Sequence, residues 1–202
     1  MFALIKFIIQ KTLLITLITK KPNKLLYSFN WLDNTVKIST ETNQRISEKM
    51  TTAIIKTTPD TEIATTRIFN ASQELVYKAW TNPAHLQKWW GPNGFTNTFN
   101  EFDFRVGGKW SFIMHGPDKG NYPNECEFIK IEKPSLVAWK RHSKPHFQVL
   151  ATFHKVSDNE TKVIFKMLFN SPEECSKLKP FVVDKNEENF DRLEVELNKM
   201  KL

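Results

Sequence analysis

The stretch from Ala79 to Pro92, AWTNPAHLQKWWGP, constrains the fold most, because it holds three of the chain's six tryptophans. Asn82-Pro83 predicts the end of one helix and the start of another, since proline disfavours the α region at the preceding residue and suits the first helical position. Gly91-Pro92 ends the second helix. Three apolar residues of this second helix are spaced three and four apart and share one face: Leu86, Trp89 and Trp90. We expect that face to pack on a curved sheet formed by the residues after 95.

The two neighbouring tryptophans of this stretch are predicted to have different environments. Adjacent helical positions differ in direction by about 100°, so Trp89 and Trp90 cannot both face the same way. We expect one of them to line a cavity and the other to pack in the core.

The net charge of +7 is unevenly distributed along the chain. Residues 1–49 hold eight Lys and Arg against three Asp and Glu, which leaves a balance of +2 for residues 50–202. A nucleic-acid surface would need a basic stripe interleaved with aromatic residues. The sequence shows no such stripe, so we expect no nucleic-acid partner.

The first 49 residues differ in composition from the rest. The apolar run at 2–19 is interrupted by Lys6 and Lys11, each costing about 2.5–3.5 kcal/mol within a bilayer, so no stable membrane insertion is expected. Residues 20–49 are rich in Lys, Asn, Thr and Ser, which favours a poorly ordered extension. Met50 resembles a natural start, so residues 1–49 could be absent from the mature chain. We place the folded domain at 50–202.

The cysteines and histidines do not form a metal or redox motif. Cys126 and Cys175 are isolated in sequence, which favours two reduced thiols and a cytoplasmic location. The five histidines, at 85, 115, 142, 146 and 154, are scattered. No nucleophile, zinc-protease or phosphate-loop motif occurs. We therefore predict neither a metal nor a cofactor.

The remaining pattern predicts strands followed by one long helix. Ser72 and Ser171 are candidate N-caps, and Pro180 predicts a break or restart in the last helix. The spacing from Phe99 to Phe102 implies a register slip or a β-bulge. Links between the strands are too short for crossovers, so the sheet should be antiparallel. Strands are predicted at 62–69, 102–106, 110–115, 125–131, 136–142, 147–156 and 161–169.

The order of strand, two short helices, six strands and long helix resembles the helix-grip fold of the START-like, or SRPBCC, superfamily. It is most similar to the family named for the activator of heat shock protein 90 ATPase homologue, over about Glu62 to Met200. The similarity rests on four stretches: WTNPAHLQKWWGP, FDFRVGGKWSFIMHGPDKGNYP, PHFQVLATF and EENFDRLEVEL. It implies an α+β fold in which a curved antiparallel sheet wraps around the long C-terminal helix.

The resemblance also implies an elongated apolar cavity, and hence non-catalytic binding of a small hydrophobic ligand. We expect the cavity to be lined by large side chains: Trp80, Trp89, Trp90, Trp110, Phe112, Met114, Trp139, Phe153, Phe165, Met167 and Phe190. Polar groups that could reach it are Asp103, His115 and Arg141.

Two other functions stay open at this point. Related helix-grip proteins include cyclases and hydrolases of hydrophobic substrates, and such chemistry would need a titratable group in the cavity, with Asp103 and His115 as candidates. The family name implies a chaperone-ATPase cofactor, although eukaryotic activators carry an additional N-terminal chaperone-binding domain. A homodimer is also compatible with the sequence.

Overall fold

The structure is a computed structural model that describes residues 27–30, 35–38, 54 and 56–201. The chain divides into two compact units, Met1–Lys49 and Met50–Leu202. In the first unit, strands β1 (Tyr27–Asn30) and β2 (Thr35–Ile38) pair in antiparallel orientation. The expectations about residues 2–19 and the start at Met50 lie outside the described residues, and the poorly ordered extension stays a prediction.

The second unit has the predicted order of elements. A strand precedes two short helices, and six strands precede a long helix. The elements are β3 (Glu62–Phe69), α1 (Gln73–Thr81), α2 (Pro83–Trp89), β4 (Thr96–Phe102), β5 (Lys109–His115), β6 (Asn121–Glu132), β7 (Leu136–Arg141), β8 (Phe147–Ser157), β9 (Glu160–Leu168) and α3 (Pro172–Met200).

The seven strands of this unit form one curved sheet in the order β3-β9-β8-β7-β6-β5-β4. Every neighbouring pair is antiparallel, as the short links predicted. Alternate side chains of β8 and β9 are buried, including Val149, Ala151, Val163 and Phe165. With the long helix α3, this arrangement confirms the α+β helix-grip fold.

The predicted caps determine where the helices begin. The backbone N–H of Leu75 donates to Ser72 Oγ (3.3 Å) at the start of α1, and that of Glu174 donates to Ser171 Oγ (3.3 Å) at the start of α3. At the start of α2, the Asn82 side chain accepts from the backbone N–H of Ala84 (2.9 Å). Asn82-Pro83 therefore separates α1 from α2 as the sequence predicted.

The first strand after α2 lies earlier in the chain than predicted. The predicted strand at 102–106 is wrong: β4 covers Thr96–Phe102, and a turn follows it. In that turn the backbone N–H of Gly108 donates to Arg105 O (2.8 Å), and Gly107 has a φ of 79°, which glycine adopts easily. The predicted bulge is confirmed, because the pairing of β4 with β5 shifts between Phe99 and Glu101.

Helix α3 is amphipathic and lies along the core. Phe190, Leu193 and Leu197 are buried on one face. At the edge of this face, Arg67 of β3 forms ion pairs with Glu187 (2.5 Å) and Asp191 (2.6 Å). In the part of the chain that the structure describes, no helix is both long and apolar enough to cross a membrane.

The predicted break at Pro180 is wrong, because α3 continues through it from Pro172 to Met200. Proline lacks an N–H and its ring clashes with the carbonyl one turn earlier, so it disfavours a helix interior. Here buried residues on both sides, Cys175 before the proline and Asn186 after it, keep the two parts in one helix.

Replacing Pro180 with alanine is expected to raise the free energy of unfolding by about 1–2 kcal/mol. Alanine restores a donor for the carbonyl one turn earlier and has much higher helix propensity, while the more flexible unfolded chain offsets part of the gain. Urea unfolding of Pro180→Ala measures the change, with Lys179→Ala as the exposed neighbouring control. Unchanged or lower stability would contradict this explanation.

Candidate functional site

A cavity of about 270 Å³ lies between the sheet and α3. The sheet contributes seven apolar side chains: Phe112, Met114, Trp139, Phe147, Val149, Phe165 and Met167. The end of α2 contributes Trp90, and α3 contributes Leu178 and Val182. The walls are therefore predominantly apolar, as is usual for small-molecule sites.

The structure brings together part of the predicted set. The residues of that set that line this cavity are Trp90, Phe112, Met114, Trp139, Phe165, Met167 and Arg141. They come from α2, β5, β7 and β9, which are distant in sequence, and the curvature of the sheet places them around one space.

The other predicted aromatic residues do not line this cavity. They are 4% exposed or less: Trp80, Trp89, Trp110, Phe153 and Phe190. Their rings contact one another or their neighbours: the ring centroids of Trp80 and Phe153 lie 5.4 Å apart, and those of Phe69 and Phe190 lie 5.3 Å apart. Because their rings pack against other side chains in the interior, we assign them to the packed core.

Trp89 and Trp90 have different environments, although they are adjacent. Trp89 is fully buried, and its Nε1 donates to Ala79 O (3.0 Å). Trp90 is the C-cap of α2, with a φ of −64° and a ψ of 127°. This extended conformation helps direct the Trp90 side chain to the cavity, where its ring centroid lies 5.6 Å from that of Trp139.

The two predicted acid-base candidates also lie away from the cavity wall. Asp103 forms an ion pair with Arg105 (2.8 Å) in the turn after β4. His115 is at the end of β5, where its ring nitrogens bond to Thr98 Oγ1 (2.9 Å) and Asn121 Oδ1 (2.7 Å). Neither residue lines the cavity, because each is engaged by its own turn or strand neighbours.

Arg141 is the predicted polar residue that the structure places in the cavity wall. Its Nε donates to Asn124 Oδ1 (2.9 Å), and its Nη1 donates to Pro145 O (3.1 Å). The guanidinium carbon lies 5.3 Å from the ring centroid of Phe147. Burial lowers the pKa of Arg141, because the charged form loses solvation. Residues 56–201 provide no ion-pair partner for it.

Sequence reasoning missed three asparagines in the wall. Asn124 and Asn186 are 6% and 5% exposed, and Asn189 Oδ1 is buried without a hydrogen-bond partner among the described residues. The signal for Asn186 was present: it lies four residues before Phe190, on the apolar face of α3. A polar side chain on an apolar helix face indicates a polar partner or a binding site.

Cys126 also lies in the wall, and the structure makes it unreactive. Burial raises the pKa of its thiol to about 12, so the thiol stays protonated at neutral pH. A protonated thiol is neither a strong nucleophile nor a metal ligand. No group of three or more His, Cys, Asp or Glu side chains within the described ranges could hold a metal ion.

Comparison with known proteins gives one family and a set of related folds. The family model described as "Activator of Hsp90 ATPase homolog 1-like protein" matches residues 70–198. This range begins at the end of β3 and extends nearly to the end of α3. No curated protein matches the chain significantly.

Several solved structures share the fold. A protein from Nitrosomonas europaea has 17% identity and a TM-score of 0.66, covering 72% of this chain and 99% of that one. A protein from Arthrobacter aurescens has 23% identity and a TM-score of 0.65, covering 73% and 91%. An AHSA1 protein from Silicibacter pomeroyi has 17% identity and a TM-score of 0.56, covering 69% and 99%. At these identities the likeness shows the fold alone.

Proposed function

We propose that this chain, which belongs to the Activator of Hsp90 ATPase homolog 1-like family, binds a small, mainly apolar molecule in the cavity between its sheet and α3. The family and the START-like fold support a ligand-binding or cofactor-type domain in general. The observation that carries the finer proposal is the cavity, whose apolar walls come from the sheet, α2 and α3.

The aromatic rings in the walls favour a ligand that itself has an aromatic ring. Trp90, Trp139 and Phe165 lie around the cavity, with the Trp90 ring centroid 5.6 Å from Trp139 and 6.1 Å from Phe165. Aromatic rings contact one another best edge-to-face or offset, and such pairs contribute about 0.5–1.5 kcal/mol beyond burial. A ligand with an aromatic ring would extend this cluster.

Binding without catalysis fits the ionisable side chains of the wall. Those belonging to described residues are Cys126, Arg141 and Lys185. The Cys126 thiol is protonated at neutral pH, because burial raises its pKa to about 12. General acid-base catalysis needs a group with a pKa near the working pH. The enzyme and chaperone-cofactor functions, like the homodimer and the cytoplasmic location, stay predictions.

Filling the cavity tests the proposal. Val182 of α3 lines the cavity, so Val182→Trp is expected to place an indole ring in the ligand's space. Val183 is its neighbour and is 39% exposed, so Val183→Trp makes the same chemical change at the surface. The probe is 2-naphthamide, an uncharged two-ring aromatic molecule, titrated by calorimetry.

The wild-type chain and Val183→Trp are expected to bind 2-naphthamide with a dissociation constant below about 1 mM, and Val182→Trp at least about tenfold more weakly. Circular dichroism of each variant confirms that it is folded. Absence of binding to the wild-type chain, or equal binding to the two tryptophan variants, would contradict the cavity as the binding site.

A further inference from the structure

The polar side chains of the cavity lie in an otherwise apolar wall. They differ in whether they have an ion-pair partner. Two cationic groups line it, Arg141 from β7 and Lys185 from α3. The Lys185 ammonium forms an ion pair with Glu188 (2.6 Å), so its charge is already compensated. Among the described residues, the ion pairs do not include Arg141. The cavity therefore has one guanidinium that lacks an anionic partner.

The neighbours of Arg141 position it without neutralising it. Asn124 and Pro145 accept hydrogen bonds from its Nε and Nη1 through uncharged oxygens, and the Phe147 ring lies 5.3 Å from its Cζ. The thiol of Cys126 is the nearby group that could carry a negative charge, but its pKa of about 12 keeps it neutral. A partly buried cation held in this way is arranged to receive an anion.

The size of the cavity limits what can carry that anion. An engineered cavity of about 150 Å³ with apolar walls binds one benzene molecule. The present cavity of about 270 Å³ is somewhat less than twice as large. Two fused rings, or one ring with a short side chain, would therefore fill it. A long acyl chain would extend beyond it.

We propose that the ligand is a small aromatic acid, whose ring lies among Trp90, Trp139 and Phe165 and whose carboxylate pairs with Arg141. This inference rests on the proposed function, because it names the ligand class for the same cavity. A guanidinium and a carboxylate form hydrogen bonds about twice as strong as those between neutral groups. Asn189 Oδ1, a buried acceptor without a partner among the described residues, would take a hydroxyl or amino donor on the same ligand.

The test compares two probes of the same shape that differ in charge, 2-naphthoate and 2-naphthamide. In the wild-type chain the carboxylate is expected to bind about 10- to 100-fold more tightly than the amide. Arg141→Gln is expected to remove most of that preference, because losing the guanidinium weakens binding of the charged carboxylate more than binding of the uncharged amide. Arg141→Lys keeps the positive charge but lacks the planar guanidinium with its paired N–H donors, so it is expected to restore part of the preference.

The ratio of the two affinities separates recognition from a structural effect, because a distorted cavity weakens both probes alike. Lys140→Gln, at the exposed neighbouring position on β7, is the charge control and is expected to leave the ratio unchanged. Equal affinity of the wild-type chain for both probes, or an unchanged ratio in Arg141→Gln, would overturn the assignment to an aromatic acid while the proposed function stands. If neither probe binds, both the proposed function and this inference fail.

Discussion

Replacing Trp89 with alanine is expected to lower the free energy of unfolding by about 3–5 kcal/mol, the usual range for deleting a large aromatic side chain from a packed interior. Trp89 is fully buried, its ring centroid lies 4.8 Å from that of Trp80, and its Nε1 donates to Ala79 O. Alanine would leave a cavity and an unpaired carbonyl. Urea unfolding measures the loss, provided that the dependence of the unfolding free energy on urea concentration is the same in both proteins.

Trp90→Ala is the matched comparison, because it deletes the same side chain from the adjacent position. Trp90 lines the cavity on one side and contacts other rings on the other, including Trp110 at 5.4 Å between centroids. We therefore expect a loss at least about 1 kcal/mol smaller than for Trp89→Ala, together with loss of 2-naphthamide binding. Equal losses of stability in the two variants would show that both tryptophans serve only as core.

Replacing Arg192 with methionine is expected to lower the free energy of unfolding by about 2–4 kcal/mol. The guanidinium of Arg192 donates to three backbone oxygens at the end of α2: Lys88 O (2.9 Å), Gly91 O (2.5 Å) and Pro92 O (2.9 Å). Hydrogen bonds to charged groups contribute about 1.5–3 kcal/mol each, and the C-terminal carbonyls of a helix otherwise lack partners. Methionine preserves much of the apolar stem and removes the donors.

Two further variants sharpen this prediction. Arg192→Lys keeps the charge but cannot reach three acceptors at once, so we expect it to recover less than half of the loss. Lys199→Met, at an exposed position of the same helix, is expected to change stability by less than about 0.5 kcal/mol. Because Gly91 and Pro92 also line the cavity, Arg192→Met should weaken 2-naphthamide binding as well. Wild-type stability in Arg192→Met would contradict the role of this contact.

Local signals in the sequence were sufficient for most of the fold. Ser72, Asn82-Pro83 and Ser171 each provide a cap that depends on residues only two or three positions away, and all three are confirmed. The bulge in β4 was also predicted, because two aromatic residues three apart cannot share one face of a regular strand. Such features need no knowledge of distant contacts.

The errors arise where distant contacts decide the outcome. Pro180 is unfavourable in a helix by local propensity, but packing of α3 on the core keeps the helix continuous. The same limit applies to the cavity. Phe153 and Phe165 have the same aromatic character and face the same side of neighbouring strands, yet only Phe165 lines the cavity, because α1 covers Phe153. Sequence periodicity predicts on which face of a strand a side chain lies, but it does not predict which element packs over that side chain.

The most direct test of the cavity as a binding site uses the methionine methyl groups. The chain has five methionines, of which Met114 and Met167 line the cavity, whereas Met200 packs against the core outside the cavity wall. Spectra of the full chain with ¹³C-labelled methionine methyl groups are recorded while 2-naphthamide is added. We predict saturable shifts of the Met114 and Met167 signals, with Met200 unchanged. Unchanged Met114 and Met167 signals at saturating probe, or equal shifts of all five methyl groups, would contradict a ligand in this cavity.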